Sequence, residues 1–342
     1  MPAKTHHPAP AARPLNRSRR LMLQATGAAV AAPWAFAASA AGQIAGGKPI
    51  TLVVSYAAGG GADLMARLIA PRLAEFLGQP VLVDNKPGAG GQIAATQVAR
   101  ATPDGTQLLV DASSFAVNPA LYPKLPYDVD TAFAPLAVLA QFPNVLVCTP
   151  GFEAKSVKDL IRMAKAKPGQ IAYASSGNGS AQHLAGALFE DLAGVKLVHV
   201  PYRGGGPAMN DVMAGQVPLF FANVASSLGQ IQSGRLRPLA VTSRRRTRSL
   251  PDMPTMEEAG VPAYEVLEWN PVLAPAGLDA KSKAALVAAI RKTMADPEVL
   301  GRIRSLSGEV FPDGPEALTV AFLKAQQLKW GRIIKDRKIT AG

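Results

Sequence analysis

The sequence has one cysteine, Cys148, and a single thiol excludes any disulfide within the chain. Stability must therefore come from packed cores, for which a composition that is 48% hydrophobic supplies the material. Cys148 follows the apolar run Val145-Leu146-Val147 and reads as a small packed hydrophobe. Long apolar runs are also lacking. The stretch from Leu21 to Ala32 is ended by Pro33 and falls short of the ~20 residues a membrane-spanning helix needs. Aromatic residues make up 6% of the chain, too few to interleave with a basic face as a nucleic-acid binder requires. The one dense cationic cluster, Arg244-Arg245-Arg246-Thr247-Arg248, lies in a Ser/Thr/Pro-rich stretch and reads as a solvated loop.

Motifs of nucleotide and metal chemistry are missing as well. No G-x-x-x-x-G-K-[ST] occurs, and no Gly-rich loop has the G-x-G-x-x-G spacing. No Cys pair or His-x-x-x-His spacing suggests zinc, so neither metal nor cofactor is expected. A serine-dependent hydrolase or transferase would want a G-x-S-x-G elbow, which is absent, and an acid orienting a histidine. That alternative is the weaker one.

Acidic residues are absent from the first forty positions, where Arg17, Arg19 and Arg20 precede the apolar stretch and Ala38-Ser39-Ala40 follow it. This is the pattern of an export signal over 1–40, cleaved near Ala41. Ser18-Arg19-Arg20-Leu21-Met22-Leu23 carries paired arginines suited to the twin-arginine route, with Gln24 where a lysine would be more usual. Loss of its five cationic residues lowers the formal net charge from +12 to +7. About 300 residues remain, a length that usually means two domains.

What is present from Ile50 onward is an alternation of short apolar runs and helix-length amphipathic segments, the mark of an α/β chain with mainly parallel sheets. Ile50 to Val54, Val81 to Val83 and Gln107 to Asp111 read as strands of a first set. A helix with Met65, Ile69, Leu73 and Phe76 on one face is stopped by Gly78, with Pro71 a candidate kink. Asn118 to Pro135 looks irregular. A second set comprises strands Asn144 to Thr149, Ile171 to Ser175, Leu197 to Pro201, Val217 to Phe221 and Leu236 to Thr242. Ser156-Val157-Lys158-Asp159 opens a helix there as a capping box. Strand Val272 to Ala274 then precedes a helical tail from Ala280 to Lys335, which needs a sheet to cover. The expected architecture is two α/β lobes, each an open sheet, separated by a cleft and joined by two strands crossing near Val145 and Val272. Lobe 1 takes 46–143 plus 270–342, and lobe 2 takes 144–269.

Four Gly-rich loops stand between a strand and the next helix: Gly59-Gly60-Gly61, Gly88-Ala89-Gly90-Gly91, Gly177-Asn178-Gly179-Ser180 and Gly204-Gly205-Gly206. In open α/β sheets this is the ligand-facing edge, where backbone N–H groups at helix N-termini attract anions. A carboxylate held by two or three charge-assisted hydrogen bonds, at ~1.5–3 kcal/mol each, approaches micromolar affinity. Asp63 falls in the first turn of its helix, where a loop-capping role suits it better than contact with an anion. Lys86 and Arg203 are the cations beside the loops. Ser175, Ser176, Ser180 and Asn223 end strands or open loops and can hydrogen-bond a ligand directly, through water, or cap a helix instead. His183 is a candidate cap or cleft lining, and His199 reads as a packed strand residue.

The segments Tyr56-Ala57-Ala58-Gly59-Gly60-Gly61-Ala62-Asp63, Val83-Asp84-Asn85-Lys86-Pro87-Gly88-Ala89-Gly90-Gly91, Asn118-Pro119-Ala120-Leu121-Tyr122, Tyr173 to Ser180 and His199 to Gly204 occur in that order. Together with Leu239-Ala240-Val241-Thr242, Pro251 to Thr255 and Leu273 to Gly277, they make the chain resemble the Bug-type receptors of tripartite tricarboxylate transporters over nearly all of its length past the export signal. The resemblance implies a monomeric periplasmic binding protein of type II-like fold, without enzymatic activity. It would close on a small carboxylate (a di- or tricarboxylate, amino acid or aromatic acid) and present it to the transporter's membrane components. A ligand-sensing partner of a signalling protein is the remaining alternative. The implied ligand residues are Tyr56, Ala58, Gly59, Gly60, Gly61, Asp63, Gly88, Ala89, Gly90 and Gly91, with Ser175, Ser176, Ser180, His183, Arg203, Gly204 and Asn223 from the second set. Ala222 and Arg203 stand where such receptors often carry Asp and Lys, so second-lobe contacts transfer less well.

Changing both Arg19 and Arg20 to lysine is expected to leave precursor inside the cell on fractionation and immunoblotting. Normal export of the double variant would leave only the general secretory route.

Overall fold

A run such as Ile50-Thr51-Leu52-Val53-Val54 has no polar face, and in the computed structural model, which describes residues 43–312, 314 and 316–341, helices cover both sides of it. The export signal and its arginine pair lie outside the described residues. In strand β1 (Ile50–Val54), Ile50, Leu52 and Val54 pack beneath Met65, Ile69 and Leu73 of α1 (Gly61–Leu77). Val53 points the other way, onto Ala94, Ala95 and Val98 of α2 (Gln92–Ala99), as side-chain alternation along a strand requires. Gly78 ends α1 with φ 64°, its N–H bonded to the last-turn carbonyls. Phe76, expected on the buried face, is 43% exposed. Leu77, one position on, turns inward in its place.

The first sheet runs β2 (Val81–Asn85), β1, β3 (Gln107–Val110), β9 (Leu267–Pro275), β4 (Phe133–Cys148), with β1 parallel to both neighbours and β9 antiparallel to β3 and β4. Short strand β10 (Glu309–Val310) pairs with β4 at Gln141 and Ala140. The second sheet contains the far end of β4, antiparallel to β7 (Leu219–Asn223) and β8 (Arg237–Val241), and continues through β5 (Ala172–Ser175) to β6 (Val198–Pro201) in parallel. The change of sheet takes one residue: Pro143 pairs with Leu267 in the first, and Asn144 pairs with Asn223 in the second. The expected α/β class, with two open sheets linked by crossing strands, is the architecture found.

Several local expectations need correction. The stretch thought irregular begins inside α3 (Ser114–Leu121), and β4 starts at Phe133 and runs for 16 residues. Its early part contains Pro135 and Pro143, which hid the strand because proline cannot donate to the ladder. Val272 is not a crossing point; it pairs with Val110 and Ala137 inside the first sheet. The chain enters that sheet at Leu267, just after Val266 N–H bonds Thr242 O. The tail covers both sheets and is not purely helical, since β10 interrupts it. Helices α8 (Ala280–Ala295) and α9 (Pro297–Ser305) pack Leu286, Ile290, Val299 and Ile303 on the first core. The last helix, α10 (Glu316–Asp336), places Leu323 beside Trp269 and Phe133, but Trp330 and Ile334 in the second core with Leu146 and Tyr173.

Two helical glycines separate packing from propensity. A Cβ at Gly186, in α5 (Ala181–Ala193), would overlap the buried Tyr173 ring, whereas one at Gly229, in α7 (Val224–Gln232), meets nothing within 4 Å. Gly186→Ala is expected to destabilise by about 1–3 kcal/mol in urea titrations. Gly229→Ala should stabilise by about 0.5–1 kcal/mol. Equal effects would mean that the Tyr173 ring is not held where it is drawn.

Candidate functional site

Each parallel strand delivers its carboxyl end to a loop, and four of these loops converge. After β1, Tyr56 to Gly60 lead into α1; Gly59 adopts φ 83° and its N–H bonds Asp63 Oδ2 at 3.0 Å. Asp63 also takes hydrogen bonds from Arg67 Nε at 2.9 Å and Asn85 Nδ2 at 3.0 Å, and Asn85 Nδ2 in turn bonds Tyr56 O. Burial pushes the Asp63 carboxyl upward, yet these donors outweigh it and hold the group below its ordinary value. Asp63 is therefore the brace of the loop, with its acceptors committed to the protein.

After β2, Gly88 to Gly91 all hold positive φ, from 48° at Ala89 to 127° at Gly88. Only glycine takes this conformation freely, and Ala89 carries the strain of the one side chain admitted. Asn118 of α3 fixes the turn by donating from Nδ2 to Gly90 O at 2.9 Å. Behind it lies a fully buried carboxylate, Asp111, which accepts from Ser55 Oγ at 2.5 Å, Ala112 N at 2.7 Å and Ser114 Oγ at 3.1 Å. Burial still lifts its pKa to about 6.

The loops of the two sheets touch. Ala57 N–H donates to Arg203 O at 3.1 Å. A Cβ on Gly60 would come within 3.4 Å of Gly205 N, one on Gly90 within 2.6 Å of Asn178 O, and one on Gly204 within 2.7 Å of Ala57 N. These are backbone-to-backbone approaches that a side chain would block. Between the loops remains a cavity of about 200 Å³ lined by residues including Tyr56, Gly88, Ala89, Gly90, Ser176 and Arg203. Among its lining residues Arg203 is the one cation. Deeper in, Gly60, Gly61, Gln182, Gly205 and Glu268 enclose a recess of about 10 Å³. The buried Tyr56 hydroxyl finds no hydrogen-bond partner among the described residues.

The remaining sequence candidates are close by but turned elsewhere. Ala58 and Gly59 back the contact with Gly206. Gly91 is buried against Asp111 and Ser55. Ser175 Oγ bonds His199 Nε2 at 2.6 Å, and Ser180 is the N-cap of α5, accepting from His183 N and donating to Gly177 O. His183 stacks on His199 with ring centroids 4.1 Å apart and faces a different cavity with His199 and Lys338. It is not part of the cleft lining, and burial depresses its pKa to about 4, so the ring is neutral at pH 7. Asn223 caps α7 through Oδ1 and sets its amide beside Gly61. Lys86 pairs with Asp84 at 3.0 Å, away from the cavity.

Sequence reasoning had Asn178 in a ligand-facing loop and Tyr122 and Tyr202 in matching segments but named none of them as a ligand residue, and it missed Gln182 and Glu268; all five line the two cavities. Gln182 Nε2 donates to Glu268 Oε2 at 2.5 Å and to Asn144 Oδ1 at 3.0 Å, tying α5 to β9 and β4. Burial raises the Glu268 pKa. A lone glutamate in the otherwise apolar run Val266-Leu267-Glu268-Trp269 was the available signal.

The fold recurs in solved structures. The periplasmic binding protein BugD superposes with a TM-score of 0.82 at 35% identity, covering 85% of this chain and 98% of that one. R. palustris Rpa4515 with adipate gives 0.80 at 34% identity, with 85% and 98% covered. MatC from Rhodopseudomonas palustris with bound malate gives 0.80 at 30%, with 84% and 98% covered. BugD is described as a periplasmic binding protein and MatC as holding bound malate, in accord with the non-enzymatic reading. Because residues 65–339 match the family described as tripartite tricarboxylate transporter family receptor, and these similarities span nearly the whole of each solved chain, the protein belongs to that receptor family.

Proposed function

We propose that the chain is a periplasmic receptor that binds a small dicarboxylate between the loops at Tyr56–Gly61 and Gly88–Gly91 on one side and Ser176–Asn178 and Tyr202–Gly205 on the other, and hands it to the membrane components of a tripartite tricarboxylate transporter. The observation that carries this reading is the cavity of about 200 Å³ between the loops of the two sheets, lined by Gly88, Gly90 and Gly177 among others and with Arg203 as its one cationic residue. Backbone N–H groups at the start of α1 and α2 serve one carboxylate, and Arg203 suits a second at the mouth. The relatives solved with adipate and malate support a two-carboxylate ligand. The expected lobes, 46–143 plus 270–342 and 144–269, would be shifted to begin the return segment at Leu267 and to give the end of α10, with Trp330 and Ile334, to the second lobe, the two rocking about the step from Pro143 to Asn144.

A thermal-shift screen of dicarboxylates identifies the ligand, since a compound at 100 times its dissociation constant stabilises by ~2.7 kcal/mol. Small-angle scattering should then show compaction on saturation with the identified dicarboxylate. An unchanged radius of gyration would remove the rocking lobes from the proposal.

Calorimetry on variants tests where affinity resides. Gly60 has φ −88°, so a side chain there is excluded by the nearness of Gly205 and not by backbone strain; Gly90, at φ 62°, is excluded by both. Gly60→Val and Gly90→Val should each lower affinity by roughly two to four decades, the equivalent of two lost charge-assisted hydrogen bonds. Lys86→Ala should cost under about 1 kcal/mol, because its charge is screened and already paired with Asp84. If Lys86→Ala abolished binding while both glycine variants bound normally, side-chain charge and not the loops would hold the ligand.

A further inference from the structure

The arginine cluster that reads in sequence as a solvated loop does not stand alone in space. Arg244, Arg245, Arg246 and Arg248 meet Arg304, from the end of α9, around a cavity of about 690 Å³. Two carboxylates, Glu265 and Glu309, also line it, so the lining carries a net excess of three positive charges. Arg244 Nε pairs with Glu265 at 3.3 Å, and Arg246 Nε is drawn away to Glu258 at 2.9 Å. Arg245, Arg248 and Arg304 have no side-chain partner among the described residues. Three unpaired guanidinium groups facing one concavity repel one another unless an anion lies between them.

A second observation is independent of charge. Thr247 lines the same cavity and is only 7% exposed, yet its Oγ1 has no hydrogen-bond partner among the described residues. A buried hydroxyl left unpaired costs free energy that an acceptor or donor in the cavity would recover. The volume falls within the range of small-molecule sites, and a concavity of this size suits a compact ligand better than the flat face of a protein partner. It is also separate from the cleft. Leu267 borders this cavity while the next residue, Glu268, borders the cleft recess, and successive residues of a strand face opposite sides.

We infer that this cavity is a second binding site, for a compact multivalent oxyanion of the oligophosphate type, held by Arg245, Arg248 and Arg304 with Thr247 completing the hydrogen bonding. The planar guanidinium fork matches two oxygens of a phosphate at once, and several such groups suit an anion bearing several charges. The loop that supplies Arg245 and Arg248 leaves the second sheet at β8, whereas Arg304 arrives on a helix packed against the first. The bound anion would thus bridge the two sheets on the side of the crossing strands away from the cleft.

The test is calorimetry with tripolyphosphate and with inorganic phosphate, at low and at high sodium chloride. Tripolyphosphate should bind at one site, more tightly than phosphate, with an affinity that falls as salt rises. The triple variant Arg245→Gln/Arg248→Gln/Arg304→Gln changes only exposed side chains and should fold normally by circular dichroism. It is expected to lose at least tenfold in affinity for tripolyphosphate while its dicarboxylate binding stays unchanged. Thr247→Val should lose severalfold without altering the charge. The inference is overturned if tripolyphosphate gives no binding heat at low salt, or if the triple variant binds it as well as the parent. It is equally overturned if an acidic peptide binds this face where tripolyphosphate does not. None of the overturning outcomes depends on whether the cleft takes a dicarboxylate.

Discussion

One strand belongs to two sheets, and the rest of the molecule is arranged around that fact. β4 pairs with β9 along its first part and with β7 and β8 along its last five residues. Both sheets must therefore meet at Pro143 and Asn144, and the loops at their edges are brought face to face. Asn144 is the residue at the step, and its N–H and Oδ1 are both bonded, though its Nδ2 has no partner among the described residues. Its N–H donates to Thr242 Oγ1 at 2.8 Å, and its Oδ1 takes a hydrogen bond from Gln182. Gln182 also reaches Glu268 on the neighbouring strand. Buried polar groups of this kind cost free energy unless they are satisfied, so the network fixes one geometry at the crossing where apolar residues would allow several.

That geometry places constraints on the loops. Gly60 against Gly205, Gly206 against Ala58, and Gly90 against Asn178 are approaches of main chain to main chain. They leave room for a ligand-sized cavity and for little else. Glycine has a further effect, because a loop without side chains leaves backbone N–H groups as its main recognition elements. The electrostatics of such a site come from oriented dipoles at helix starts, supplemented by Arg203. The nearby charged groups are spent internally: Asp63 on its own loop, Lys86 on Asp84.

Much of this was legible in the sequence because it rests on local patterns. Apolar runs followed by glycines located β1, β2, β5 and β6 and the loops after them, and Ser156 and Ser180 marked helix starts that the structure confirms. What could not be read depends on partners distant in the chain. The prolines of β4 are tolerated because neighbouring strands and bulges absorb the missing donors, which no window around Pro135 reveals. His183 looked like a cleft residue because it lies three positions after Ser180, but the helix turns it away, onto His199. Glu268 and Gln182 come together across 86 residues of sequence. The same holds for the arginine cluster, whose neighbour Arg304 is more than fifty positions further on.

The distribution of arginine sets the two cavities apart: one residue lining the first is an arginine, and five lining the second are. In the proposed receptor, a cleft that releases its ligand to a transporter would be poorly served by several buried guanidinium groups, because ion pairs desolvated in a closed site make dissociation slow. Backbone dipoles and a single exposed arginine would give enough stabilisation for capture, a few hydrogen bonds at ~1.5–3 kcal/mol each, with selectivity coming from the shape of the cavity. Opening the loops exposes every one of those N–H groups to water, which replaces the ligand's oxygens at little cost. Charge is sparse in the cleft cavity, whose lining has one arginine beside Gly88, Gly90 and Gly177; on the proposed reading, a site built largely from main chain would be dismantled by a small movement of the sheets about their shared strand.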